Sequence, residues 1–80
     1  MRVTLYTRRN CSLCEKAKAA IRDSGAAVVL EEIDIDRDPE LQARFTNDVP
    51  VVFVQGREAF RHRVTAEEFA AFVKRWTVDG

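Results

Sequence analysis

Apolar and polar residues alternate at the start of the chain, where Val3, Thr4, Leu5 and Tyr6 show the period-two, β-prone pattern of a strand. The spacing then lengthens. From about Ser12 to Ser24 the apolar positions Leu13, Ala17, Ala20 and Ile21 recur at helical intervals, with Lys16, Lys18, Arg22 and Asp23 off that stripe. Gly25 supplies a stop signal. A second strand reads from Val28 through Ile35 and ends in an acidic turn. Asp38-Pro39-Glu40 predicts a helix start, because Asp caps free N–H groups, Pro fits the first turn and Glu suits the helix dipole. Leu41 and Phe45 then share one face, and Asn47-Asp48 ends the helix.

Val51 to Val54 is an uninterrupted apolar run, as in a strand buried on both faces. Gln55-Gly56-Arg57 predicts a turn, and Glu58 to Arg63 a more polar strand carrying Ala59 and Phe60. Thr65-Ala66-Glu67-Glu68 has capping-box form, and the helix it opens places Phe69, Phe72, Val73 and Trp76 on one stripe. Lys74 and Arg75 fall near its end, the charge order the dipole favours. The order β-α-β-α-β-β-α predicts an α/β fold. A right-handed crossover makes the first two strands parallel, and the Gln55-Gly56 turn makes the last two antiparallel, giving a four-stranded mixed sheet with helices on its faces.

Eighty residues make a single domain over 1–80, and a chain of this size buries only roughly 60–65% of its unfolded surface. The 46% hydrophobic content supports a core. Thirteen basic and thirteen acidic residues leave no net charge, which removes the electrostatic case for nucleic acid or a membrane as main partner. No apolar run approaches the roughly 20 residues of a membrane span, and Met1 to Tyr6 lacks the form of a signal peptide. The expected compartment is the cytoplasm, and the expected state a monomer.

Chemistry enters at Cys11 and Cys14, the only two cysteines, placed where the first strand hands over to the first helix. A helix start offers free N–H groups and partial positive charge, which favour a thiolate. Cys11 is therefore the expected nucleophile, with a pKa below the free value of about 8.5, and Arg8, Arg9 and Lys16 add positive potential. Cys14, one turn on, is expected to be more buried and to resolve the mixed disulfide that Cys11 forms with a substrate. The Val3–Tyr6 strand holds no acidic residue to deprotonate Cys14, so water or the departing thiolate has to serve. A metal site within one chain lacks ligands, since the single histidine, His62, lies far off in sequence. Two chains pooling four cysteines around zinc or an iron–sulfur cluster is the competing arrangement.

Val49-Pro50 is the second marked point, because proline opens an otherwise buried strand. Local sequence alone predicts an ordinary trans bond there. Three further groups read as structural: His62 as a solvated edge-strand residue, Arg57, Arg61 and Arg63 as solvated surface, and Phe60, Phe69, Phe72 and Trp76 as core and its margin. Tyr6 is open between packing and a role at the dithiol, shielding Cys14 or contacting a substrate.

The Cys-x-x-Cys after a first strand, Val49-Pro50 before a later one and the order of elements together resemble a thioredoxin-fold protein of the glutaredoxin type. The resemblance covers essentially all 80 residues. It implies that Cys11 and Cys14 form the redox-active disulfide and that Pro50 is a cis-proline facing it. It further implies that the Val49 backbone pairs with bound substrate and that Arg8 meets a glutathione carboxylate. Ser12-Leu13 stands where the family commonly has Pro-Tyr, and Asn10 where thioredoxins have Trp. The family's Gly-Gly before the last helix is replaced by Arg61-His62-Arg63-Val64-Thr65, without a glycine. The helix start near Thr65, assisted by Arg63, is left to receive a carboxylate.

The expected function is a thiol–disulfide oxidoreductase that reduces protein or low-molecular-weight disulfides. It needs no bound cofactor and draws electrons from glutathione or a thioredoxin-reductase system, the missing Gly-Gly weighing against glutathione. The competing function is a non-enzymatic module of the same fold, as a metal- or cluster-bridged dimer or a partner adaptor.

Overall fold

The computed structural model describes residues 1–79, with side chains through Trp76; Gly80 lies outside the described residues. Its elements are β1 (Arg2–Thr7), α1 (Ser12–Asp23), β2 (Val29–Asp34), a 3-10 turn at Ile35–Arg37, α2 (Pro39–Phe45), β3 (Val51–Val54), β4 (Arg57–Arg61) and α3 (Ala66–Asp79). The four strands form one sheet in the order β2-β1-β3-β4. β1 runs parallel to β2, with Leu5 opposite Glu32, and antiparallel to β3, with Leu5 opposite Val52. β3 and β4 form an antiparallel hairpin. Gln55 at φ 52° and Gly56 at φ 83° make its two-residue turn, both in the left-handed region that a twisted hairpin requires.

Strand alternation splits the core in two. Val3, Leu5, Val52 and Val54 point to the face covered by α1 and α3, where they pack with Ala17, Ile21, Val64 and Phe69. Tyr6, Val51 and Phe53 point to the other face, where Ile35, Leu41, Phe45 and Val49 cover them. Leu5, Ile35, Val51, Val54 and Phe69 are each fully buried, and burial of an apolar side chain of this size contributes about 1.5–3 kcal/mol. Phe60 and Trp76 sit at the margin against Phe72, Phe60 edge-on and Trp76 tilted.

The capping residues behave as local chemistry dictates. The Asp38 carboxylate accepts from Glu40 N–H at 2.9 Å at the start of α2. Thr65 Oγ1 accepts from Glu68 N–H at 3.0 Å, and Glu68 Oε1 accepts from Thr65 N–H at 3.0 Å, a complete capping box.

Two strands differ from expectation. β2 begins at Val29 and stops at Asp34, because the Asp34 carboxylate accepts from Asp36 N–H at 2.9 Å and turns the chain into a 3-10 turn before Ile35 can extend the strand. β4 runs over Arg57–Arg61, so Arg57 belongs to the strand and His62 and Arg63 do not. His62 takes φ 71° while Arg63 N–H donates to the Arg61 carbonyl at 2.9 Å, a γ-turn that ends the ladder. Helix α2 also closes early, at Phe45, where Thr46 turns out at φ 52°.

Candidate functional site

The dithiol sits at the carboxyl end of β1, where an open α/β sheet leaves room for a site. Cys11 is the N-cap of α1, with extended backbone, and its Sγ accepts from Cys14 N–H at 3.2 Å. Asn10 reaches this corner at φ 56°, a conformation asparagine tolerates. The two cysteines are joined as a disulfide across a Cα–Cα distance of 5.2 Å. Their environments differ. Cys11 is half-buried, whereas Cys14 is 2% exposed and packs in the cluster of Ile35, Phe45, Val49 and Val51. One sulfur can be reached by a partner, and the other is held behind it.

Val49-Pro50 lies against the same cluster, its peptide bond cis. Pro50 is buried, and its carbonyl accepts from His62 N–H at 2.7 Å. Among the described residues no hydrogen bond engages the Val49 peptide N–H or C=O. An unpaired peptide beside a reactive sulfur can pair with an extended chain. Tyr6 packs behind the dithiol, its ring 4.7 Å from Phe45 and 5.2 Å from Phe53 between centroids.

Arg8 is brought to the site's edge but is already engaged. Its Nε donates to the Asp36 carboxylate at 3.1 Å, Nη1 to Asn47 Oδ1 at 3.1 Å and Nη2 to the Thr46 carbonyl at 3.0 Å. Gln42 adds a second donor to Asp36 at 3.0 Å. Thr65 stands apart from Arg8, on the far wall of a groove faced by Leu13 and Lys16 of α1. Its own N–H and that of Glu68 are taken by the capping box. Cys11, Cys14 and Val49 thus share one cluster with Pro50 adjoining, whereas Arg8 and Thr65 lie on separate flanks.

Asp36, Asn47 and Asp48, which the sequence marks only as a turn and a helix end, make polar contacts at the edge of the site. Asp48 accepts from Arg61 Nη1 at 3.2 Å and lies 3.0 Å from His62 Nε2. Arg61 also grips Glu58 through Nε and Nη2, at 2.9 and 2.8 Å. That bonding holds the Glu58 carboxyl below its ordinary value and raises that of Arg61. The acidic turn after β2 was visible in sequence, but its partner Arg8 is 28 residues away, and no local pattern links them. Among the described residues no group of three or more His, Cys, Asp and Glu side chains gathers as a metal site. None of the described helices is long and apolar enough to cross a membrane.

A mixed sheet in this order, with a Cys-x-x-Cys at the first helix start and proline opening β3, defines a thioredoxin-fold protein carrying a redox-type cysteine pair. Residues 2–74 match the family described as "Glutaredoxin-like domain (DUF836)", and the chain belongs to that family. It is 34% identical over 74 residues to a "Glutaredoxin-like protein YDR286C homolog" of Dictyostelium discoideum, covering 82% of this chain and 68% of the relative. It is 39% identical over 56 residues to the "Glutaredoxin-like protein NrdH" of Escherichia coli K12, covering 65% and 67%. Among solved structures, protein XcR50 from X. campestris superposes with a TM-score of 0.81 at 30% identity, over 91% of this chain and 96% of that one. NrdH-redoxin from Escherichia coli superposes with a TM-score of 0.63 at 30% identity, over 94% and 93%.

Proposed function

We propose that the chain is a dithiol–disulfide oxidoreductase acting on protein disulfides, with Cys11 as nucleophile and Cys14 as resolving thiol. The observation that carries this is the asymmetry of the pair: Cys11 caps the helix half-exposed, with a backbone N–H at 3.2 Å from its sulfur, and Cys14 is buried behind it. In the reduced protein the helix start stabilises a Cys11 thiolate. That thiolate attacks one sulfur of a substrate disulfide; the substrate S–S bond breaks, a mixed disulfide forms and a substrate thiolate departs. Cys14, giving its proton to water or to that thiolate, then attacks Cys11 Sγ and releases the second substrate thiol. Two electrons pass to substrate, and the chain is left with Cys11 and Cys14 joined, the state in which the pair is found. The unpaired Val49 peptide supports an extended substrate backbone laid beside the dithiol.

The electron source that fits this site is a disulfide reductase of the thioredoxin-reductase kind, in preference to glutathione. Arg8, the residue that would meet a glutathione carboxylate, already has carboxylate, amide and carbonyl partners. The stretch before α3 has no glycine through which backbone N–H groups could approach a ligand, and the helix start is closed by its own capping box. A "thioredoxin-like activity profile" is ascribed to NrdH-redoxin from Escherichia coli, itself a glutaredoxin-like protein, which agrees with this choice.

The test is a disulfide-reduction assay of wild type, Cys11→Ser and Cys14→Ser, fed in parallel by glutathione with its reductase and by a thioredoxin-reductase system. Wild type turns over protein disulfide with the second supply and little with the first. Cys11→Ser abolishes turnover, and Cys14→Ser stalls as a mixed disulfide detectable by mass. Full activity in Cys11→Ser would sink the mechanism, and efficient turnover with glutathione would sink the choice of reductant.

A further inference from the structure

Positive charge around the dithiol is distributed unevenly. On one flank the Arg8 guanidinium is neutralised by Asp36. Arg61 is neutralised by Glu58 and Asp48, and His62 also leans on Asp48. On the other flank, Lys16 of α1 and Arg63 of the β4–α3 connection stand on opposite walls of a groove of about 200 Å³. Both are exposed, and among the described residues neither side chain has a hydrogen-bond or ion-pair partner. The floor between them is apolar, made by Leu13, Ala17 and Val64. The acidic groups near them in sequence do not cancel them: Glu68 accepts from Thr65 N–H in the capping box, and neither Glu15 nor Glu67 lines the groove.

Leu13 lies between Cys11 and Cys14 in the chain, so the groove adjoins the reactive pair. Two unpaired cations over an apolar floor match a chain segment that carries a carboxylate with an apolar neighbour. A groove of this size has room for one or two side chains, not for a folded element.

We propose that this groove is a specificity subsite for protein substrates, receiving an acidic side chain next to the substrate disulfide between Lys16 and Arg63. The apolar neighbour of that acidic residue packs on Leu13 and Val64. The inference rests on the dithiol reading above and names the substrate class of that site. Complementary charge at a partly exposed contact acts mainly on encounter and choice of partner, and it weakens with salt.

The experiment uses the full chain, reduced beforehand and freed of reductant, with a series of synthetic peptides that each contain one internal disulfide. Peptides differ only in carrying Glu, Gln or Lys at one position beside a cysteine, and each flanking position is tested in turn. In a single turnover the two protein thiols become the Cys11–Cys14 disulfide and the peptide disulfide becomes two thiols, so no further reductant is needed. The readout is the second-order rate of peptide reduction. At the position that reaches the groove, the Glu peptide is expected to react about fivefold faster than the Lys peptide, with Gln between them and the spread shrinking at high salt. In the double variant Lys16→Glu with Arg63→Glu the order of the Glu and Lys peptides inverts about the Gln peptide, whereas a folding defect, or a change in Cys11 reactivity from the lost Lys16 charge, slows all three peptides alike and leaves their order unchanged. The control Arg57→Glu with Arg75→Glu changes net charge equally, away from the groove, and keeps the wild-type order.

Equal rates for Glu and Lys peptides at every position overturn the subsite while leaving the dithiol reading intact. So does an order that persists in the groove variant, or one that inverts in the control. Failure of wild type to reduce any peptide overturns the dithiol reading and the subsite with it.

Discussion

The Arg61 guanidinium bridges two carboxylates, Glu58 through two nitrogens and Asp48 through a third, and lies 5.9 Å from the Phe45 ring centroid. Hydrogen bonding to Arg61 is the main reason the Glu58 carboxyl falls below its ordinary value of 4.5. A carboxyl depressed in the folded state adds stability that is complete above the unfolded value and fades as pH drops through the folded one. The pair is solvent-exposed, so the effect is small. Glu58→Gln is expected to lower the urea midpoint slightly at pH 7, and the gap from wild type should close in acid below the ordinary Glu range; a gap that widens in acid would contradict this sign. Local sequence placed Cys11 and Cys14 together at a helix start, because the two lie within one turn. It did not show the side-chain partners of Arg8, Asp48 and His62, which are 13 or more residues distant. Arg8 shows the consequence: the residue type is suited to a ligand carboxylate, and the fold supplies Asp36 first.

Helix starts were legible because a cap and its target N–H lie two or three residues apart. Asp38 and Thr65 both cap as their sequences predict. Thr65→Ala, which removes the Oγ1 acceptor for Glu68 N–H, is expected to cost roughly 0.5–2 kcal/mol in urea unfolding, and Thr65→Ser to restore most of it. An unchanged midpoint in Thr65→Ala would mean the capping box contributes nothing to α3. Strand ends were less legible. β2 stops because a side chain captures Asp36 N–H, and β4 stops because His62 enters a γ-turn and donates its N–H to Pro50. Ile33-Asp34-Ile35 keeps alternating past the end of β2, and Arg61-His62-Arg63 holds no glycine or proline to mark the end of β4, so pattern alone overruns both. The His62 turn also carries Arg63 to the groove wall opposite Lys16.

The sheet order places β1 and β3 side by side at the centre, which brings the end of β1 and the start of β3 together at the dithiol. Behind it the rings of Tyr6, Phe45 and Phe53 pack with centroids 4.7 to 6.3 Å apart. Phe45 is 1% exposed and belongs to the cluster that buries Cys14, so Phe45→Ala is expected to cost about 3–5 kcal/mol. The same variant should raise the alkylation rate of Cys14 in the reduced, folded protein relative to Cys11. Phe72→Ala, at the half-buried margin against Phe60 and Trp76, should cost less and leave Cys14 protected. Equal costs and equal Cys14 protection in the two variants would deny Phe45 its role behind the dithiol.

Element types, cap residues and the position of Cys11-x-x-Cys14 at a helix start were settled by local patterns, because each depends on groups a few residues apart. The pairing of β1 with β3, the capture of Arg8 by Asp36, Asn47 and Thr46, and the meeting of Lys16 with Arg63 were settled by folding. Those contacts join residues 38 to 51 positions apart, or 28 for Asp36, and their partners are selected by sheet order and helix packing. The dithiol could thus be read from a ten-residue stretch. Which of its neighbouring charges remain unpaired depends on partners that only the folded chain supplies.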